Sequence, residues 1–170
     1  MTSSSQHLIV MGVSGSGKTT IAELLAERLG WAFAEADDFH PPANIEKMSA
    51  GTPLTDEDRW PWLRTIAQWM SEQTGLGHNT VVTCSALRRV YRDVLREGHG
   101  QVRFVHLAGS KDTIESRLDD RSGHFMPAAL LDSQFETLEL LDSDEDGVVI
   151  SISATPDDIV EDIIARLGIA

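Results

Sequence analysis

Gly12-Val13-Ser14-Gly15-Ser16-Gly17-Lys18-Thr19 is the stretch on which the fold turns. It follows the apolar run Leu8-Ile9-Val10-Met11 and precedes a helical pattern in which Ile21, Leu24, Leu25, Arg28 and Leu29 share one face. The order is therefore strand, tight loop, helix. Spelled G-x-x-x-x-G-K-T, the loop has the residue types needed to wrap a polyphosphate. Glycines at 12, 15 and 17 allow backbone conformations that a Cβ penalises, and they let successive N–H groups point inward. The helix that starts there adds unpaired amides and a positive dipole end. Gly12 through Thr19, with Val13, Ser14 and Ser16 among them, are thus candidates for binding a nucleoside triphosphate. Lys18 is placed to reach the β- and γ-phosphates and to act in catalysis, and the Thr19 hydroxyl to ligate Mg²⁺.

Outward from the loop, residues 7–13 read as the first strand and Gly30 as the stop of the first helix. Trp31-Ala32-Phe33-Ala34 is a second short strand, delivering the cluster Glu35-Ala36-Asp37-Asp38 at its carboxyl end, where ligands bind in open α/β sheets. Pro41 and Pro42 mark an entry turn to a short helix that Gly51 and Pro53 end. Thr55 and Asp58 have the spacing of a capping box, and Pro61 reads as an early-helix proline. The tryptophans at 60, 62 and 69 read as core rather than as a stacking platform. Apolar runs at 80–84, 102–107 and 148–152 supply three more strands, with helices between them: one opening at Ser85-Ala86-Leu87, one at Ser110 or Asp112, one after Pro127, and a last one capped by Thr155. Strands alternating with helices predict an α/β fold of three layers, α/β/α, around five parallel strands.

At 170 residues the chain reads as a single domain, 1–170. Its lone cysteine, Cys84, excludes a disulfide framework and suits a reducing, cytoplasmic location. No signal peptide or spanning apolar run is visible, which leaves no membrane partner. A net charge of -13 argues against nucleic acid. The cations are unevenly placed: none lies between Ser122 and Ala165, whereas Arg88, Arg89, Arg92, Arg96 and Arg103 crowd together, suiting either a bound anion or a solvated helix face.

A phosphate loop alone does not separate a kinase from a switch. A GTPase would carry N-K-x-D and an acid closing the third strand, which here ends Thr83-Cys84-Ser85. An AAA-type ATPase would be longer, with strands ending in Asp. Small size, carboxylates after strand two and an arginine-bearing break after strand four fit a small-molecule kinase whose lid, at about 117–138, closes over the phosphates to exclude water.

More specific is Asp37-Asp38-Phe39-His40-Pro41, continuing through Asn44, Lys47-Met48, Gly51, Pro53-Leu54, Asp56, Asp58-Arg59 and Pro61-Trp62-Leu63. With Cys84-Ser85-Ala86-Leu87, Tyr91-Arg92-Asp93, Glu115-Ser116-Arg117-Leu118, Gly123-His124-Phe125 and Gln134-Phe135-Glu136-Thr137-Leu138, it resembles the gluconokinases of the short P-loop type over nearly the whole chain. The related shikimate and nucleotide kinases share the loop but not these blocks. The resemblance implies a P-loop kinase fold with a helical lid, and transfer of phosphate from ATP, with Mg²⁺, to the 6-hydroxyl of D-gluconate. It makes Asp37 the residue that accepts or orients the acceptor's proton, with Glu35 and Asp38 as neighbours. Gluconate needs one cation for its carboxylate, for which Arg59, Arg88 and Arg92 are candidates. His40, Asn44 and Lys47 are candidates for its hydroxyls. Arg117 and Arg121 are the lid arginines, Arg121 taking part in catalysis. The family resemblance also brings in a homodimer, for which nothing in the pattern locates an interface. Two alternatives stay open: a kinase for another small polyol or hydroxy acid such as shikimate, and a non-catalytic ATP-binding regulator, which the intact Lys18, Thr19 and carboxylates disfavour.

Overall fold

Alternating apolar residues in the first strand point into two separate cores, and this divides the molecule into layers. In the computed structural model, which describes residues 5–13, 15–52, 54–97, 100–120 and 128–169, five parallel strands run in the order β2-β3-β1-β4-β5. They are β1 (Gln6–Met11), β2 (Ala32–Glu35), β3 (Thr80–Thr83), β4 (Gln101–Ala108) and β5 (Gly147–Ser151). Leu8 and Val10 of β1 face a core completed by α1 (Lys18–Leu29) and α7 (Pro156–Leu167). Ile9 and Met11 face the other core, built with α3 (Asp56–Gly75) and α4 (Arg89–Leu95). The remaining helices are α2 (Pro42–Ser49), α5 (Lys111–Asp120) and α6 (Ala128–Thr137). No helix of the described residues is long and apolar enough to cross a membrane.

Local signals set the helix ends. Thr55 Oγ1 accepts from the Asp58 amide while the Asp58 carboxylate accepts from the Thr55 amide, closing the capping box. Thr155 caps α7 through the Asp158 amide, and Gly30 ends α1 in the left-handed conformation. Three sequence expectations are corrected. On α1, Ile21 and Leu25 are buried together with Ala22 and Ala26, and Leu24 and Leu29 pack partly buried against the same core, whereas Arg28 is exposed. Pro61 lies inside α3 beyond its first turn, so the Glu57 carbonyl has no proline N–H to accept from. Residues 84–87 are not helical, since Ala86 adopts a positive φ of 45°, and α4 starts at Arg89.

His7 sits wholly buried on β1, with Nδ1 2.7 Å from Thr80 Oγ1 and Nε2 2.7 Å from Thr74 Oγ1. Thr74 gives its own proton to the Met70 carbonyl, so Nε2–H donates to Thr74 and Nδ1 accepts from Thr80. Burial pushes the imidazole down to about 4 from 6.5. Because the folded value lies below the unfolded one, the contribution is complete above about pH 6.5 and is lost as pH falls toward 4, amounting to about 3 kcal/mol. Urea unfolding from pH 7.5 to 4.5 should therefore show a steeper loss of stability for the native chain than for His7→Gln; parallel profiles would contradict this account.

Candidate active site

The strand order brings the phosphate loop and the acidic turn to the same end of the sheet. Val10 pairs with Thr83 and Thr83 with Glu35, so β1, β3 and β2 finish level with one another. The phosphate loop leaves β1 and the acidic turn leaves β2, with β3 between them, which sets the two about 10 Å apart. That gap is wide enough for a phosphoryl group and its acceptor.

In the phosphate loop Gly12, Gly15 and Gly17 have φ of 147°, 83° and 92°. A Cβ on Gly12 would stand 2.9 Å from both the Leu107 carbonyl oxygen and Ser16 Oγ, so only glycine lets the loop pass so close to β4. Gly17 is the N-cap of α1 and provides no side-chain cap, which leaves the first helical amides for an anion. Ser16 Oγ is buried with no hydrogen-bond partner among the described residues, an orphan that suits a polar ligand above it. Lys18 Nζ donates to the Gly12 and Val13 carbonyls, 3.1 Å each, lying back across its own loop. Thr19 is exposed at the start of α1. The donors therefore fit a nucleotide phosphate with a divalent cation held by Thr19 and phosphate oxygens. Among the described residues no three His, Cys, Asp or Glu side chains would hold a metal unaided.

Across the gap, β2 ends at Glu35 and runs into a 3₁₀ turn, Ala36–Phe39, that presents Asp37 and Asp38 to solvent. Trp62 Nε1 anchors the turn by donating to the Ala36 carbonyl at 2.7 Å. Cys84 lies just past the end of β3, and burial pushes its thiol up to about 12. A thiol so buried is inert.

His40, Asn44 and Lys47 turn out to brace the structure. His40 stacks on Trp62 at 4.2 Å between ring centroids, and burial lowers its pKa against the pull of Asp37, 3.9 Å away. Asn44, buried, contacts His40 Nδ1 and donates to the Asp58 carbonyl. Lys47 pairs with the Asp58 carboxylate at 2.7 Å; chiefly this bond, and then the Thr55 amide, hold that carboxyl at about 2. The three candidates thus lock α2 to α3, and none of them lines the neighbouring cleft.

That cleft encloses about 520 Å³. Its floor is Cys84-Ser85-Ala86-Leu87, one wall carries Arg59, Trp62 and Tyr91, and α6 contributes Ser133, Gln134 and Thr137. The Arg59 guanidinium lies over the Tyr91 ring at 5.3 Å and donates to its hydroxyl at 3.1 Å. Tyr91 in turn donates to Asp56 Oδ1 at 2.6 Å. That bond, followed by the charge of Arg88, holds the Asp56 carboxyl below its usual range, whereas burial pushes the Tyr91 phenol up. Arg88 reaches Asp56 Oδ2 at 2.9 Å and is not on the cleft wall. Asp56, Tyr91 and the α6 polar stripe were the residues that sequence reasoning left without a task. The signal was the i, i+1, i+4 spacing of Ser133, Gln134 and Thr137 on one helix face.

Arg92 is corrected outright as a carboxylate ligand. It is completely buried, forked onto Glu145 with Nε–Oε1 2.8 Å and an N–O distance of 3.1 Å to Oε2. Apart from buried Arg92, the crowd of arginines forms a partly exposed, charge-paired surface. Arg89 pairs with Asp142 and Asp144, Arg96 with Asp93 and Glu145, and Arg103 with Asp146, so the chain's own acidic turn neutralises them. Arg121 and Ser14 lie outside the described residues, as does the side chain of Arg117 on α5.

A family model described as an AAA domain matches residues 8–141. The nucleotide-binding part is thus of that description, although length and the end of β3 argued against an AAA-type ATPase. A gluconokinase of Gluconobacter oxydans (strain 621H) is 53% identical over 159 residues, covering 94% of this chain and 89% of its own. The unliganded crystal structure of a sugar kinase from Janibacter sp. HTCC2649 superposes with a TM-score of 0.91 at 54% identity, over 98% of this chain and 96% of that one. A gluconokinase from Sinorhizobium meliloti 1021 gives 0.85 at 45% identity, over 98% and 93%. With such likeness along almost its full length, and a phosphate loop facing an acidic turn across one strand, this chain belongs to the gluconokinase family of P-loop kinases.

Proposed function

We propose that the protein transfers the terminal phosphoryl group of ATP to the 6-hydroxyl of D-gluconate, giving 6-phospho-D-gluconate. The observation that carries this reading is the cleft with Arg59 on its wall, whose floor is bonded to the phosphate loop through Gly12 N–H donating to the Ser85 carbonyl at 3.3 Å. A polyol carrying one carboxylate needs one guanidinium at its far end and a route for its primary hydroxyl to the phosphates.

In this scheme the amides of Gly15 to Lys18 and the N-terminus of α1 receive the phosphates, and Lys18 turns from its own loop carbonyls to the β- and γ-oxygens. Thr19 would hold Mg²⁺, which would supply positive charge to offset that of the phosphates. Asp37 orients the acceptor hydroxyl and takes its proton. Its neighbour His40 carries its own pKa below the usual value and so remains neutral near pH 7, leaving that carboxylate unopposed. Positioning supplies most of the acceleration, since the transition state is loose and spreads its charge over the equatorial oxygens. Residues at about 117–138 serve as the lid, with Arg117 and Arg121 closing on the phosphates. A cytoplasmic location accompanies this reading.

Arg59→Ala should raise the KM for gluconate by about 10–100-fold and leave the KM for ATP unchanged, the loss of a charge-assisted bond to the substrate carboxylate. Arg59→Lys should fall between, because an ammonium cannot fork. A wild-type KM in Arg59→Ala would remove it from the site. ADP release across gluconate, shikimate, other sugar acids and nucleoside monophosphates tests the substrate. Stimulation by gluconate is expected; stimulation by shikimate alone, or by no acceptor, would contradict the assignment.

A further inference from the structure

Arg92 lies outside the cleft, yet its guanidinium reaches the cleft floor. While two of its nitrogens fork onto Glu145, NH1 donates to the Ala86 carbonyl at 2.9 Å and NH2 to the Leu140 carbonyl at 3.4 Å. Ala86 is the one non-glycine with positive φ among the described residues. Such a conformation is penalised by its Cβ and persists where the surroundings over-determine it. Here three neighbours do so. Gly12 of the phosphate loop donates to Ser85, Glu139 donates to Leu87 at 2.6 Å, and Arg92 holds the carbonyl between them.

A buried ion pair is weak evidence for stability, since apolar residues of the same volume often serve as well. An apolar pair could not, however, supply an N–H to Ala86. Only a planar fork serves Glu145 and the floor at once.

We infer that Arg92 is a positioning residue for the acceptor: by gripping the Ala86 carbonyl it keeps the Ser85-Ala86-Leu87 floor in the shape that receives the sugar acid. This rests on the gluconate reading. The nucleotide side of the site is built by β1 and α1 and meets the floor through the Gly12–Ser85 backbone bond, whereas Arg92 grips the next residue, Ala86, on the acceptor side.

Arg92→Lys removes the fork and retains the charge. A smaller population of the competent floor raises the KM for gluconate by about tenfold, with the KM for ATP within about twofold and kcat at saturating gluconate little changed. Adding Ala86→Gly to Arg92→Lys brings the gluconate KM back toward the native value, because glycine takes the left-handed conformation without a Cβ penalty. Arg96→Gln is the control: it touches the same Glu145 at 2.9 Å but not Ala86, and its gluconate KM stays native. Should Arg92→Lys not fold, Arg92→Met combined with Glu145→Leu removes both buried charges and is expected to show the same rise. A native gluconate KM in the Arg92 variants, a rise that Ala86→Gly does not relieve, or an equal rise in Arg96→Gln would each overturn the inference. Absence of gluconate turnover in the unaltered chain would instead overturn the substrate reading beneath it.

Discussion

Lys18→Ala is expected to lower kcat by at least about 10³-fold while leaving the thermal midpoint unchanged, as read by ADP release and differential scanning fluorimetry. The size follows from what the ammonium does. In a loose phosphoryl-transfer transition state the protein performs little covalent chemistry, so the loss of a cation on the β- and γ-oxygens falls directly on the barrier. The neutrality toward stability follows from the geometry. Lys18 is only partly buried, and its bonds to the Gly12 and Val13 carbonyls are ones that water can replace. A variant with more than about a tenth of native kcat would place the phosphates elsewhere.

Asp37→Asn should cost about 10²–10⁴-fold in kcat with the nucleotide dissociation constant unchanged. Asparagine keeps the shape of the side chain but cannot take the hydroxyl proton. The Asp37 side chain is 89% exposed and its contact with His40 is long, at 3.9 Å, so Asp37→Asn is expected to leave the thermal midpoint near the native value. Native kcat in Asp37→Asn, with unchanged nucleotide binding, would exclude it from proton transfer.

What the sequence disclosed was what depends on near neighbours along the chain. The phosphate loop, the five strands, the Thr55 and Thr155 caps and the glycine after α1 are each specified within about six residues of one another. What it hid depends on partners far away. Nothing local marks Arg92 as buried, because the partner that makes its burial tolerable is Glu145, brought beside α4 by the return of the chain into β5. The same holds for the arginine crowd, whose counter-charges follow in sequence after α6. Ala86 concealed the true start of α4, since an alanine beside Leu87 reads as helix until a tertiary bond fixes it otherwise. His40, Asn44 and Lys47 had the chemistry for a polyol. The fold used that chemistry on Trp62 and Asp58, a choice that spacing cannot reveal.

Among the three candidate cations, the structure separates the tasks by position. Arg59 lines the cleft, Arg88 ties Asp56 at its margin, and Arg92 works from beneath. The α6 residues Ser133, Gln134 and Thr137 line the same cleft as Arg59.

A crystal structure with gluconate and a non-hydrolysable ATP analogue tests the central claim most directly. The account requires the C6 oxygen of gluconate to lie within about 3 Å of an Asp37 carboxylate oxygen and in line with the terminal phosphate beside Lys18, with the sugar acid's carboxylate on Arg59. Gluconate bound the other way round, or bound where Asp37 cannot reach its primary hydroxyl, would contradict it.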